Sequence, residues 1–139
     1  MSADNRVIAV VPSPQEFQRI CGILAQDRIS VEQASSVLEA VLLHAYARLG
    51  DSGARRAPVV LFDIDGASSP WRDALEQFRM VHPASRFIFL SRLADENLWL
   101  EVLKAGEHDL LSCPVVESEL RHAVLRALDR AARSLAAAA

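Results

Sequence analysis

The chain has 139 residues, 51% apolar and 24% charged, the composition of an ordinary globular protein rather than a disordered one. A chain of this length is expected to form one domain that buries roughly two-thirds of its unfolded surface, with a core over residues 6–130 and an alanine-rich tail at 134–139. With 15 Lys and Arg against 18 Asp and Glu, the net charge is −3, which gives no long-range pull toward nucleic acid or an anionic membrane.

Lys104 is the only lysine, so chemistry that needs an ammonium group has a single candidate. Cys21 and Cys113 are too few for a disulfide scaffold or a cysteine-rich zinc site. The opening stretch lacks the pattern of a cleavable signal, and no apolar run approaches the length of a membrane span. A cytoplasmic protein is expected, without metal or cofactor.

Val7 to Val11 is a continuous apolar run stopped by Pro12, and reads as a buried strand. From Pro14 the residues Phe17, Ile20, Cys21 and Leu24 recur at helical spacing. Arg28 to Gln33 alternates loosely and reads as an edge strand. Ser36 and Glu39 have the spacing of a capping box, after which Val37, Leu38, Val41, Leu42, Ala45 and Leu49 mark one helix face up to Gly50. The polar stretch from Gly50 to Pro58 is expected to be a mobile surface loop.

Val59 to Phe62 is a central strand that empties into Asp63-Ile64-Asp65-Gly66. Ser69-Pro70 opens a helix with Trp71, Leu75 and Phe78 in register, ending before Pro83. Phe87 to Leu90 is a strand ending at Ser91. Asp95 to Ala105 is a helix closed by Gly106, Asp109 to Cys113 a strand stopped by Pro114, and Ser118 to about Leu135 a helix with frayed alanines beyond it.

Five strands alternating with five helices imply an α/β fold with a mainly parallel sheet and right-handed crossovers. In such sheets chemistry collects at the carboxyl ends of the strands. The polar and special residues there are Pro12 and Ser13, then Asp63 and Asp65, then Ser91, then Cys113 with Pro114.

In this ordered set the chain resembles the receiver domain of bacterial two-component response regulators, from Arg6 to about Leu128. The resemblance implies a flavodoxin-like three-layer (βα)5 fold with strand order 2-1-3-4-5. By the same likeness VVLFD puts the phosphoacceptor position at Asp63, FIFLS puts the switch hydroxyl at Ser91, and KAGEHDLLSCP matches the segment that ends in a cis peptide bond before Pro114. The family's two metal-binding acids after the first strand are replaced by Pro12 and Ser13, its lysine by Cys113, and its aromatic switch residue by Leu110.

Charge bookkeeping makes these departures consequential. Phosphorylating Asp63 would leave a dianion in a crevice shared with Asp65, and two like charges about 4 Å apart cost on the order of 4 kcal/mol at an effective dielectric of 20. Without metal and lysine, transfer slows by orders of magnitude. The expected function is a pseudo-receiver in two-component phosphorelay signalling, not an enzyme, whose partner is a sensor kinase or a downstream signalling protein. Arg72 or Arg92 is the candidate substitute for the missing cation.

LFDIDG also resembles the nucleophile motif of haloacid-dehalogenase-type phosphatases, with Asp63 attacking and Asp65 protonating the leaving group. Ala67 stands where that motif has Thr or Val, and the motif lies on the third strand rather than the first. The four histidines, His44, His82, His108 and His122, are dispersed and read as surface residues. Arg121, Arg126, Arg130 and Arg133 fall opposite the Leu120, Val124, Leu128 and Leu135 face and read as a solvated strip.

The fourth helix is apolar over an arc wider than one core contact needs. Together with the resemblance, this makes Trp99, Leu100, Leu103 and Leu110 the expected interaction surface, on a face that also suits a homodimer through helix 4, strand 5 and helix 5.

Overall fold

A computed structural model describes residues 6–50, 57–106 and 108–138, the side chains of 46–50 and 133–138 apart. Its elements are β1 (Arg6–Val10), α1 (Pro14–Ala25), β2 (Ser30–Gln33), α2 (Val37–Gly50), β3 (Val59–Asp63), α3 (Trp71–Val81), β4 (Arg86–Ser91), α4 (Glu96–Lys104), β5 (Asp109–Ser112) and α5 (Glu117–Ala138). The five strands form one parallel sheet in the order β2-β1-β3-β4-β5. β2 is an edge strand, as its weak apolar content implies.

Both sheet faces are covered, so the central strands alternate between two apolar layers. Val7 and Ala9 of β1, Val59 and Leu61 of β3, and Ile88 and Leu90 of β4 pack with α1 and α5 residues such as Leu24, Leu120 and Val124. The intervening residues, including Ile8, Val60, Phe62, Phe87 and Phe89, pack with Val37, Leu75, Phe78 and Val102 of α2, α3 and α4. Phenylalanine rings dominate this second layer. Phe78 meets Phe87 edge-on at 5.6 Å, and Phe87 stacks on Phe89 at 5.3 Å.

Caps fix the helix starts. Ser13 Oγ accepts the Glu16 N–H at 3.3 Å, and Asp95 Oδ1 accepts the Leu98 N–H at 2.8 Å. The capping box at α2 forms with Ser36 Oγ accepting the Glu39 N–H, while the Glu39 carboxylate reaches the Ser35 N–H.

Several sequence expectations are corrected. The buried stripe of α2 runs through Val37, Ala40 and His44, leaving Leu38 and Leu42 exposed by 67% and 52%; those two stand about 130° and about 170° from the centre of the stripe on the helical wheel. His44 and His108 are buried rather than superficial. α5 continues through the alanines to Ala138, since alanine is the strongest helix former. Arg121 and Arg126 are not merely solvated: they pair with Asp27 and Asp109. The expected loop at 51–56, and the side chains of Leu49, Arg133 and Leu135, lie outside the described residues.

Candidate functional site

The carboxyl ends of β1, β3, β4 and β5 open into a cleft of about 830 Å³. Pro12, Ser13, Asp63, Asp65 and Cys113 line it, together with Glu16, Arg19 and Arg92. Ser91 lies beside it, one residue beyond the Asp63–Leu90 pair of the β3–β4 ladder. The residues singled out at the strand ends are therefore brought together, whereas Arg72 is not. Its guanidinium is paired with Glu101 and lies 5.2 Å from the Trp71 ring centroid, on the α3–α4 side.

Asp63 closes β3, half-buried. Its Oδ1 accepts the N–H groups of Asp65 and Gly66 at 3.1 and 3.3 Å, so the turn after the strand forms around the carboxylate itself. Space at the turn favours glycine. A Cβ on Gly66 would stand 3.0 Å from Asp63 Oδ2 and 3.2 Å from Pro12 Cγ. Among the described residues no cationic side chain donates to the Asp63 carboxylate.

Asp65 lines the cleft with Asp63, and its carboxylate is already engaged by the β4–α4 connection. It is exposed, and its two oxygens accept from the β4–α4 connection: Oδ1 from the Ser91 hydroxyl at 3.0 Å and Oδ2 from the Arg92 N–H at 2.7 Å. Ser91 itself is buried, and its carbonyl accepts the Cys113 N–H at 3.0 Å.

The Cys113–Pro114 bond is cis, as the resemblance implies. Burial, followed by the charges of Glu16, Asp63 and Asp65 and opposed by Arg92, pushes the Cys113 thiol up to about 11. It is a neutral thiol at neutral pH and supplies no charge at the position where the family carries lysine.

Glu16 and Arg19 are cleft residues that the sequence reading missed. They stand three residues apart on the first turns of the helix that follows a site strand, and that placement was the available signal. Arg19 Nη1 donates to the Val115 carbonyl at 2.6 Å, tying α1 to the segment after β5.

The donors do not fit a divalent cation of the kind the resemblance implies. Pro12 has no side-chain oxygen, Ser13 Oγ caps α1, and both Asp65 oxygens face the β4–α4 connection. Among the described residues no three His, Cys, Asp or Glu side chains converge to share a metal.

On the α4 side, Trp99, Leu100 and Leu103 are exposed by 45%, 47% and 43%. Leu110 is not with them. It is 5% exposed and faces the phenylalanine layer, which corrects its assignment to the surface. A groove of about 490 Å³ runs beside Trp99 and Leu103 toward Arg126 and Arg130 of α5.

No protein-family model matches the sequence, and no curated protein matches it. Solved structures do. A response regulator receiver domain protein from Clostridium thermocellum aligns with a TM-score of 0.72 at 22% identity, over 90% of this chain and 94% of that one. The receiver domain of the Francisella response regulator 1452 gives 0.71 at 21% identity, over 91% and 98%. The beryllofluoride-activated NtrC4 receiver domain dimer gives 0.72 at 14% identity, over 90% and 97%.

The chain has the receiver fold. At these identities the likeness establishes architecture and strand order. Among the described residues no helix of this receiver-fold chain is long and apolar enough to cross a membrane.

Proposed function

We propose that this receiver-fold chain is a signalling module that acts through protein contacts and without phosphoryl transfer to Asp63. The observation that carries the reading is the charge inventory around the Asp63 carboxylate. Its hydrogen bonds come from two backbone N–H groups, the position of the family's lysine holds a neutral thiol, and the places of the metal-binding acids hold Pro12 and a hydroxyl spent on a helix cap. Two arginines line the cleft: Arg19 is bonded to the Val115 carbonyl and Arg92 is the remaining candidate cation, while Arg72 is paired with Glu101 elsewhere. A phosphoryl dianion on Asp63 would stand in a cleft already holding Asp65 and Glu16, and neither Arg19 nor Arg92 donates to the Asp63 carboxylate.

In this reading the chain is not an enzyme. The phosphatase alternative needs a carboxyl group beside Asp63 to protonate the leaving group, and Asp65 instead gives both oxygens to Ser91 and Arg92. The partner is a sensor kinase, a downstream signalling protein or a second copy, docking on the face that carries Trp99, Leu100 and Leu103. The exposure of those three side chains supports this surface.

The test is incubation with acetyl phosphate and Mg²⁺ followed by intact-mass measurement. An unmodified mass is expected. Stoichiometric phosphorylation that Asp63→Asn abolishes would overturn the reading.

A further inference from the structure

Ser91 is 1% exposed, yet its hydroxyl is in full use: it donates to Asp65 Oδ1 at 3.0 Å and accepts the Leu93 N–H at 3.0 Å. The other oxygen of the same carboxylate takes the Arg92 N–H at 2.7 Å. A single side chain on the β3–α3 turn therefore gathers the donors of two successive residues at the end of the neighbouring strand. Hydrogen bonds to an ionised acceptor are about twice as strong as neutral ones.

The bonding continues from there into α4. The Leu93 carbonyl accepts the Asp95 N–H at 2.8 Å, the Asp95 carboxylate caps the helix through the Leu98 N–H at 2.8 Å, and the Asp95 carbonyl accepts the Trp99 N–H at 3.0 Å. An unbroken series of hydrogen bonds thus joins Asp65 to Trp99. Asp63 pairs with Leu90, so Ser91 and Arg92 are the next two residues beyond that pair, at the strand end where an anion added to Asp63 would sit. Such an anion would have to displace Asp65 to reach them.

We propose that Asp65 is a built-in latch, a resident anion that holds Ser91 and the β4–α4 connection, and through them the first turn of α4 and Trp99, in one arrangement whatever the state of Asp63. The proposal deepens the reading above by naming its regulation: the α4 face is presented constitutively. Asp65 acts here as a positioning residue.

The test is residue-resolved amide exchange and indole NMR on the full chain, comparing wild type with Asp65→Ala, Asp65→Asn and Ser91→Ala. Asp65→Ala is expected to speed exchange of the Arg92 amide about tenfold, the size of one charge-assisted hydrogen bond, and Asp65→Asn, which keeps a neutral acceptor, about threefold; both are expected to move the Trp99 indole signal. Ser91→Ala is expected to speed the Leu93 amide while the Arg92 amide keeps its protection. Asp65→Asn, nearly isosteric, carries the test if the alanine variant unfolds. Wild-type exchange at Arg92, or an unmoved Trp99 signal, in the folded Asp65 variants would overturn the latch. Phosphorylation of wild-type Asp63 would instead overturn the proposed function and leave these exchange rates as they are.

Discussion

Arg121 on α5 forks onto Asp27, its Nε and Nη2 donating to the two carboxylate oxygens at 2.9 and 3.0 Å. The pair ties α5 to the turn between α1 and β2, where Arg28 takes a left-handed φ of 59°. The Arg121 hydrogen bond holds the Asp27 carboxyl below the ordinary carboxylate range. A carboxylate with a depressed folded pKa contributes stability above its unfolded pKa, and that contribution is lost as pH falls through the folded value. Arg121→Ala is expected to lower the denaturation midpoint at pH 7 and to make little difference at about pH 2. Urea melts at both values check this, and an equal effect at both would show that the bond adds nothing through ionisation. Arg121→Lys is expected to recover only part of the loss, because an ammonium cannot make the bidentate fork.

His108 provides a second pH dependence. Its ring is buried within electrostatic reach of Arg79 and Arg86, and its Nδ1 accepts the Phe87 N–H at 3.0 Å. Burial first, then the two guanidinium charges, bring its pKa down from 6.5 to about 4. The unfolded chain therefore takes up this proton first as pH falls, and stability is lost between about pH 6.5 and 4, by up to about 3 kcal/mol. In His108→Gln the stability difference between pH 7 and pH 4.5, measured by urea denaturation, is expected to shrink by a comparable amount. An unchanged difference would place the acid sensitivity elsewhere.

The phenylalanine layer is expected to carry much of the folding free energy. Phe87 is 1% exposed and touches the rings of Phe78 and Phe89. Phe87→Ala should cost about 3–5 kcal/mol in chemical denaturation. A cost below about 1 kcal/mol would mean that the layer collapses to fill the gap.

On α4, Leu100→Glu and Leu103→Glu replace half-exposed side chains, so each is expected to change folding stability by no more than about 0.5 kcal/mol. Sedimentation velocity at high protein concentration should show any self-association weakened in both variants. If association and partner capture are unchanged, the contact surface lies elsewhere.

The architecture was legible because β1, β3, β4 and β5 are apolar runs cut off by Pro12, Asp63, Ser91 and Pro114, and α1, α2 and α4 carry side-chain caps. Facing was harder to read where the pattern is degenerate. β5 carries Leu110 and Leu111 side by side, and either can face the core of a sheet covered on both sides. Strand alternation then decides His108 as well. It stands two residues before Leu110, so both turn toward Phe87 and Phe89. The fate of Arg72 depended on Glu101, which is 29 residues away and on another helix. The engagement of Asp65 by Ser91 likewise joins two loops that local sequence does not relate. Such pairings are fixed only when the sheet aligns the strand ends.

The most direct measurement is an amide NMR titration of the full chain with beryllofluoride in the presence of Mg²⁺. Signals of Asp63, Ser91 and Arg92 that stay at their starting positions are expected of a pocket that works without a phosphoryl group. Saturable shifts at those three residues, lost in Asp63→Asn, would contradict it.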